Sequence, residues 1–306
     1  MAGVFDGFAT IVALIALGSL LAHLRVIDAA GQRTLSTLAF FVASPALLLT
    51  VLEDSDLGAV FSDNLVAIAA AVVVSATLSA AVSLARRHGL GESVVGTLCS
   101  SYQNSANLGI PIAAYVLGDA ALVAPLLLLQ LLVLQPLALT LLDVAASEEG
   151  LRLDRVLARP VRNPITIGSL LGLALAATGA DLPPAVQDPL ALLGGMAVPA
   201  MLLAYGVSLR LGPLPGRGVP AVDLATTVAL KMVVQPLAAY AVGRFALGLE
   251  GDALLAVTVL SALPTAQNVF IIASRYDRAV LLARDAILVS TIASVPVIVA
   301  ITTLVA

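Results

Sequence analysis

The side chains in this chain best placed to do chemistry are amides, and they fall where long apolar runs are interrupted. The stretch from Cys99 to Asp119 reads CSSYQNSANLGIPIAAYVLGD, with Gln103, Asn104, Ser105 and Asn107 leading into Gly109 and Pro111. A second stretch, LSALPTAQNVFIIASRYD from Leu260, sets Pro264, Thr265, Gln267 and Asn268 inside another apolar run. Asn competes for backbone hydrogen bonds, Gly loses the most entropy in a helix, and Pro lacks an N–H and clashes with the preceding turn. Both helices should break. Broken backbone at membrane depth is tolerated only where protein or a water-filled cavity satisfies its polar groups. The chemistry on offer is binding: amides beside half-helix N-termini, which present N–H groups and positive dipole ends, favour an anion. One interruption alone reads equally well as a proline kink with self-satisfied side chains. Two in matching positions point to a site.

Bond-breaking chemistry finds no support. A membrane-embedded hydrolase needs a nucleophile with its base, or a metal set, and the chain has two histidines, one cysteine and no HExxH-like spacing. Cys99, being alone, excludes an internal disulfide and reads as a small buried apolar residue. Ionisable residues inside apolar runs are few: Lys231, Asp285 and, nearer the ends, Asp143 and Arg284. Asp143 and Arg284 are expected to snorkel to the cytoplasmic interface, where His23 and Arg25 also belong. Lys231 falls roughly 17 Å into a hydrocarbon core of about 30 Å. An isolated ammonium there is costly, so the lysine should either lose its proton or find a negative partner, Asp285 or a bound carboxylate. Gln130, Gln135 and Gln235 either line a cavity or link helices.

The elements that must position these residues are membrane spans. The chain is 60% hydrophobic and 11% charged, with a mean hydropathy of +1.07, outside the range of soluble domains. Apolar runs predict ten spans, near 4–24, 32–52, 64–85, 92–117, 120–142, 164–180, 187–210, 220–246, 251–274 and 279–305. The first run has no basic start and reads as a span rather than a signal peptide. Ten spans leave nine loops. Twelve arginines, among them Arg25, Arg86, Arg155, Arg210 and Arg278, fall in the odd loops, and the even loops hold only Arg244. By the positive-inside rule both termini lie outside the cytoplasm.

A long connector in the middle of ten spans suggests a repeat. Ala43-Ser44-Pro45-Ala46-Leu47-Leu48-Leu49 in the second span matches Ala197-Val198-Pro199-Ala200-Met201-Leu202-Leu203 in the seventh, and the fourth and ninth spans are both interrupted. Five spans is an odd number, so the second copy is inverted. The expected architecture is an all-α membrane protein of two inverted five-helix repeats with broken, crossing helices 4 and 9. The first repeat covers 1–143, a cytoplasmic connector 144–163, and the second repeat 164–306.

The motifs NSANLGIP and PTAQNVFIIASRYD, followed by Ser290-Thr291, Ser294 and Pro296, resemble the auxin efflux carrier family, which includes bacterial permeases for organic acids. The resemblance implies the fold of bile acid:sodium symporters, with spans 1, 2, 6 and 7 as a scaffold and the other six as a moving transport unit. It implies a site of Asn104, Asn107, Pro111, Pro264, Gln267 and Asn268. Ser105, Thr265 and Lys231 complete the expected substrate-binding set, with Asp285 and Gln103 as ion-coupling candidates. The expected function is secondary transport of a small organic acid anion by alternating access, in a bacterial inner membrane; the alternative is a passive anion channel. The expected partners are that anion, the bilayer and a second copy of the chain docked through scaffold helices, with no nucleic acid. No cofactor or metal is expected beyond sodium or a proton as coupling ion.

Overall fold

The structure, a computed structural model, describes residues 2–53, 63–146, 164–180 and 182–305. The connector expected at 144–163 therefore lies almost wholly outside the described residues. Helices account for nearly all of the rest: α1 (Ala2–His23), α2 (Ala29–Glu53), α3 (Asp63–Ala85), α4 (Leu90–Ser101), α5 (Ile110–Tyr115), α6 (Ala124–Ala145), α7 (Pro164–Thr178), α8 (Pro184–Leu211), α9 (Ala221–Ala246), α10 (Gly251–Ser261), α11 (Asn268–Tyr276) and α12 (Val280–Leu304). Among the described residues the extended pairing is a single isolated bridge, between Gln103 and Thr265. Six helices, α2, α3, α6, α8, α9 and α12, are long and apolar enough to cross a membrane. Val12–His23 of α1, α7 and α10 are apolar but shorter.

Proline shapes several of these helices in one recurring way. Its ring collides with the carbonyl four residues back, and an α-helix relieves that collision by widening locally to a π-turn. Pro45, Pro111, Pro136 and Pro236 each follow such a turn, at Ala39–Ala43, Ser105–Gly109, Gln130–Leu134 and Leu230–Val234. Those turns carry Ser105, Asn107, Gln130 and Lys231. Four polar side chains of interest thus ride on backbone that departs from a regular helix.

Packing divides the helices. α1 lies along α8, and α2 lies along both α7 and α8. Small residues set how close they come. A Cβ on Gly18 would strike the Leu203 carbonyl and one on Gly206 the Ile15 carbonyl, so α1 and α8 touch backbone to backbone. Gly168 of α7 meets the Pro45 carbonyl of α2 in the same manner. Close approach by small residues is how helices associate where burial from water cannot drive them together. α3 packs on α4, α9 and α10, while α12 packs on α4, α9, α10 and α11.

Pairings at the helix ends fall into two groups. Arg210 Nη2 lies 3.0 Å from His23 Nδ1, Arg86 Nε 2.8 Å from Asp223 Oδ1, and Arg278 Nε 3.8 Å from Glu92 Oε1. The Tyr276 hydroxyl donates to Asp143 at 2.7 Å. Elsewhere the Leu182 N–H donates to Glu53 at 3.1 Å, and Arg244 pairs with Glu250. Arg284 departs from the sequence expectation. It does not snorkel: it is fully buried, with Nε 2.7 Å from Asp285 Oδ1. The chain after α8 covers it, since Gly212 abuts the guanidinium and the Gly216 N–H donates to Asp285 Oδ2 at 2.7 Å.

Candidate functional site

Helix α4 ends at Ser101 and α10 at Ser261, and the chain beyond each runs past the other. The Asn104 N–H donates to the Pro264 carbonyl at 2.8 Å, and the Ala266 N–H to the Tyr102 carbonyl at 3.2 Å, around the antiparallel Gln103–Thr265 bridge. Backbone groups released by each break are taken up by the other. Thr265 fastens the joint, its hydroxyl donating to the Cys99 carbonyl at 2.6 Å and its N–H to Ser290 Oγ at 3.1 Å. Helix α11 then starts at Asn268, and the π-turn at Ser105 leads into α5, so two N-terminal ends open at the crossing.

The amides converge here. Asn104 Nδ2 donates to Gln267 Oε1 at 2.8 Å, and Asn107 Nδ2 to the same oxygen at 3.2 Å. Gln130 donates to the Gln103 carbonyl at 2.9 Å and accepts from the Ser105 hydroxyl. Gln135 Oε1 accepts from the Tyr102 hydroxyl at 2.8 Å and from Asn268 Nδ2 at 3.5 Å. The Nε2 groups of Gln103 and Gln267, both buried, have no hydrogen-bond partner among the described residues, nor does Asn268 Oδ1. An unpaired buried donor costs about 1–3 kcal/mol. Both residues belong to the lining of one cavity at the crossing.

They line a cavity of about 290 Å³. Its lining holds Gln103, Asn104, Ser105, Asn107, Gln130, Gln135, Gln267 and Asn268, and the rest is mostly apolar, with Leu47, Leu48 and Val51 of α2, Ile165 of α7, and Val198 and Met201 of α8. The structure thus brings six of the sequence-predicted residues to one place, Gln103, Asn104, Ser105, Asn107, Gln267 and Asn268. It also resolves two of the open amides, because Gln130 and Gln135 both line the cavity and link helices. The apolar wall went unread in the sequence, yet a signal was present. In the matched segments ASPALLL and AVPAMLL, Ser44 aligns with Val198 and Leu47 with Met201, and all four line the cavity.

Pro264, Thr265, Lys231 and Asp285 lie outside it. Pro111 sits in the first turn of α5, Pro264 supplies the carbonyl that holds Asn104, and Thr265 is spent on the joint. Lys231, fully buried, donates to Gln235 Oε1 at 2.6 Å and to the Ser261 carbonyl at 3.3 Å rather than to a cavity ligand. Its expected partner Asp285 is engaged by Arg284 and Gly216. Among the described residues, no three His, Cys, Asp or Glu side chains are grouped to hold a metal ion. What the cavity offers is neutral amide and hydroxyl groups set in a mostly apolar lining.

Comparison with known proteins points to membrane transport. An uncharacterized transporter of Methanothermobacter thermautotrophicus is 29% identical over 293 residues, covering 93% of each chain. A protein of Rhizobium meliloti named "Putative malonate transporter" is 28% identical over 295 residues, 92% of this chain and 89% of its own. A rice protein named "Probable auxin efflux carrier component 5b" matches at 29% over 145 residues, 45% of this chain and 38% of its own. The sequence pattern of one family runs through residues 4–302, and by that match the chain belongs to the Membrane transport protein family, in which auxin efflux carriers and malonate transporters are its relatives.

Proposed function

We propose that the protein is a secondary transporter that moves a small organic acid anion by alternating access, holding the carboxylate at the crossing of the two interrupted segments. The observation that carries this reading is the amide cluster on the lining of a 290 Å³ cavity, in which two buried donors, Gln103 Nε2 and Gln267 Nε2, have no partner among the described residues. A carboxylate oxygen satisfies such donors, and the N-terminal ends of α11 and of the turn into α5 add favourable dipoles. The malonate transporter named among the relatives is the nearest guide to substrate class.

In this reading the chain has ten spans in two inverted repeats, with α4 and α5 as span four and α10 and α11 as span nine. The backbone contacts support it: α1 against α8 is span one on span seven, and α7 against α2 is span six on span two. An inverted five-span repeat interchanges those two contacts, and glycine mediates both. Topology is supported likewise. The pairings His23–Arg210, Arg86–Asp223, Glu92–Arg278 and Asp143–Tyr276 join odd loops to odd, and Glu53–Leu182 joins even to even. Scaffold spans 2, 6 and 7 then supply apolar lining and spans 4, 5 and 9 of the transport unit the amides, so sliding one unit against the other moves the site across the membrane.

Proteoliposomes loaded with unlabelled malonate and presented with radiolabelled malonate test the reading, with acetate and benzoate as competitors. Counterflow above equilibrium is expected. Flux that only dissipates a gradient and shows unitary conductance would favour the anion channel instead.

A further inference from the structure

One stripe of α2 serves two cavities. Phe40, Ser44, Leu47, Leu48 and Val51 line the cavity at the crossing, and the preceding turns supply Gln32, Arg33, Ser36 and Thr37 to a second, a cleft of about 370 Å³. Two other helices are shared in the same order. On α8, Val198 and Met201 belong to the first and Ser208 to the second; on α11, Asn268, Ile271 and Ile272 belong to the first and Ser274 and Arg275 to the second. The cavities therefore lie in series along one seam, with Ser36 and Ser44 roughly 12 Å apart along α2. Phe40 and Tyr205, both buried, come between them, their rings edge-on to Tyr276 at 6.4 Å and to Phe270 at 5.4 Å.

The second cleft differs in chemistry from the first. Of the nine described residues that line it, eight are polar and two are arginines. Arg275 lies with Cζ 5.0 Å from the Phe41 ring centroid and 6.0 Å from that of Tyr276, a stacking that holds its guanidinium in place. Neither it nor Arg33 has a hydrogen-bond or ion-pair partner among the described residues. Hydroxyls on helices commonly donate back to a carbonyl one turn behind, as Thr50 does to Ala46 and Thr258 to Leu254. Ser208 and Ser274 make no such bond among the described residues, and Ser274 Oγ is buried without any partner there. Asp277, which follows α11, also lines the cleft, and the two arginines leave the lining net positive.

We propose that this cleft is a second anion site in series with the crossing, a staging site beyond the Phe40–Tyr205 barrier where a small carboxylate of the transported class docks on Arg33, Arg275 and the seryl hydroxyls. Planar guanidinium groups and hydroxyl donors are suited to a carboxylate. The identity of the anion rests on the carrier reading, and in the topology argued above the cleft faces the cytoplasm. Arg33 rides on the scaffold and Arg275 on the moving unit. Sliding changes their spacing, so the grip on the anion holds in one state and loosens in the other.

The chain has no tryptophan, so Thr37→Trp puts a lone fluorescent reporter in the cleft. Malonate and inorganic phosphate are titrated against the purified variant at low, constant ionic strength, where exposed charges are least screened. Malonate should shift the emission saturably. Adding Arg33→Gln with Arg275→Gln should raise the half-saturating concentration at least about tenfold, since charge-assisted hydrogen bonds are lost. Adding Gln267→Leu at the crossing should leave it within about twofold, the two sites being separate. A reporter unmoved by malonate, an equal response to phosphate, a response indifferent to the arginine pair, or one abolished by Gln267→Leu would each overturn the proposal. If Thr37→Trp does not purify, Val280→Trp reports on the same cleft from α12. Malonate counterflow with a silent reporter removes the staging site and keeps the carrier, whereas a responding reporter without counterflow keeps the site and removes the carrier.

Discussion

Gln267 joins more of the crossing than its neighbours do, because one oxygen receives both Asn104 and Asn107 while its own Nε2 has no partner among the described residues. Gln267→Leu keeps the bulk and removes the acceptor, leaving two donors unpaired at about 1–3 kcal/mol each. Malonate counterflow should fall at least roughly tenfold, with surface abundance by immunoblot unchanged. A different pair tests stability alone. Asp285→Asn strips the charge partner from a fully buried Arg284 and should destabilise by about 3–5 kcal/mol, read as a lowered melting midpoint. The double change Arg284→Met with Asp285→Leu should recover much of that, because the unpaired charge goes with it. The amides were legible in the sequence since they sit where Gly and Pro forbid a regular helix. The partners of Lys231 and Arg284 were not. Depth along a helix says nothing about which neighbour faces a side chain, nor that the loop after α8 would fold over Asp285.

At the scale of elements, the contacts of α1 with α8 and of α2 with α7 rest on missing Cβ atoms. Gly206→Ala and Gly168→Ala should each push two backbones apart and cost about 1–3 kcal/mol, a loss of several degrees in melting midpoint. Gly195→Ala, with nothing within 4 Å of the new Cβ, is the matched control and should melt with or above the wild type. The interruptions after Ser101 and Ser261 could be read from residue type, and so could the first turn at Pro111. The π-turns at Gln130 and Leu230 were less visible, though Pro136 and Pro236 mark them, because a proline inside an apolar run predicts a kink without saying how the backbone absorbs it. Which glycines mark close approach was hidden for another reason. The chain has 23 of them, and only the pairing of helices distinguishes Gly206 from Gly195.

For the molecule as a whole, composition alone was enough to assign a multi-pass membrane protein, and the sequence pattern over residues 4–302 assigns its family. Cysteine scanning tests the orientation. In a Cys99→Ser background, an impermeant maleimide added outside cells should label Asp252→Cys, in the first turn of α10, and spare Leu214→Cys, in the loop after α8; both sites are exposed. The reverse pattern would invert the topology. Arginine counting predicts the direction because loops are read by charge, whereas the partition into scaffold and moving unit depends on inter-helix contacts that no single stretch encodes.

The crossing is tied by main-chain groups, Asn104 to Pro264 and Ala266 to Tyr102, with the recognising side chains hung beside the knot instead of forming it. A lineage built this way can exchange its cargo cheaply. Residues at 103, 107, 267 and 268 can change one at a time, trading amide for hydroxyl or ring, while the knot stays tied. Descendants with unlike diets then share one skeleton, and a directed-evolution library confined to those four positions should yield many folded members with altered appetites.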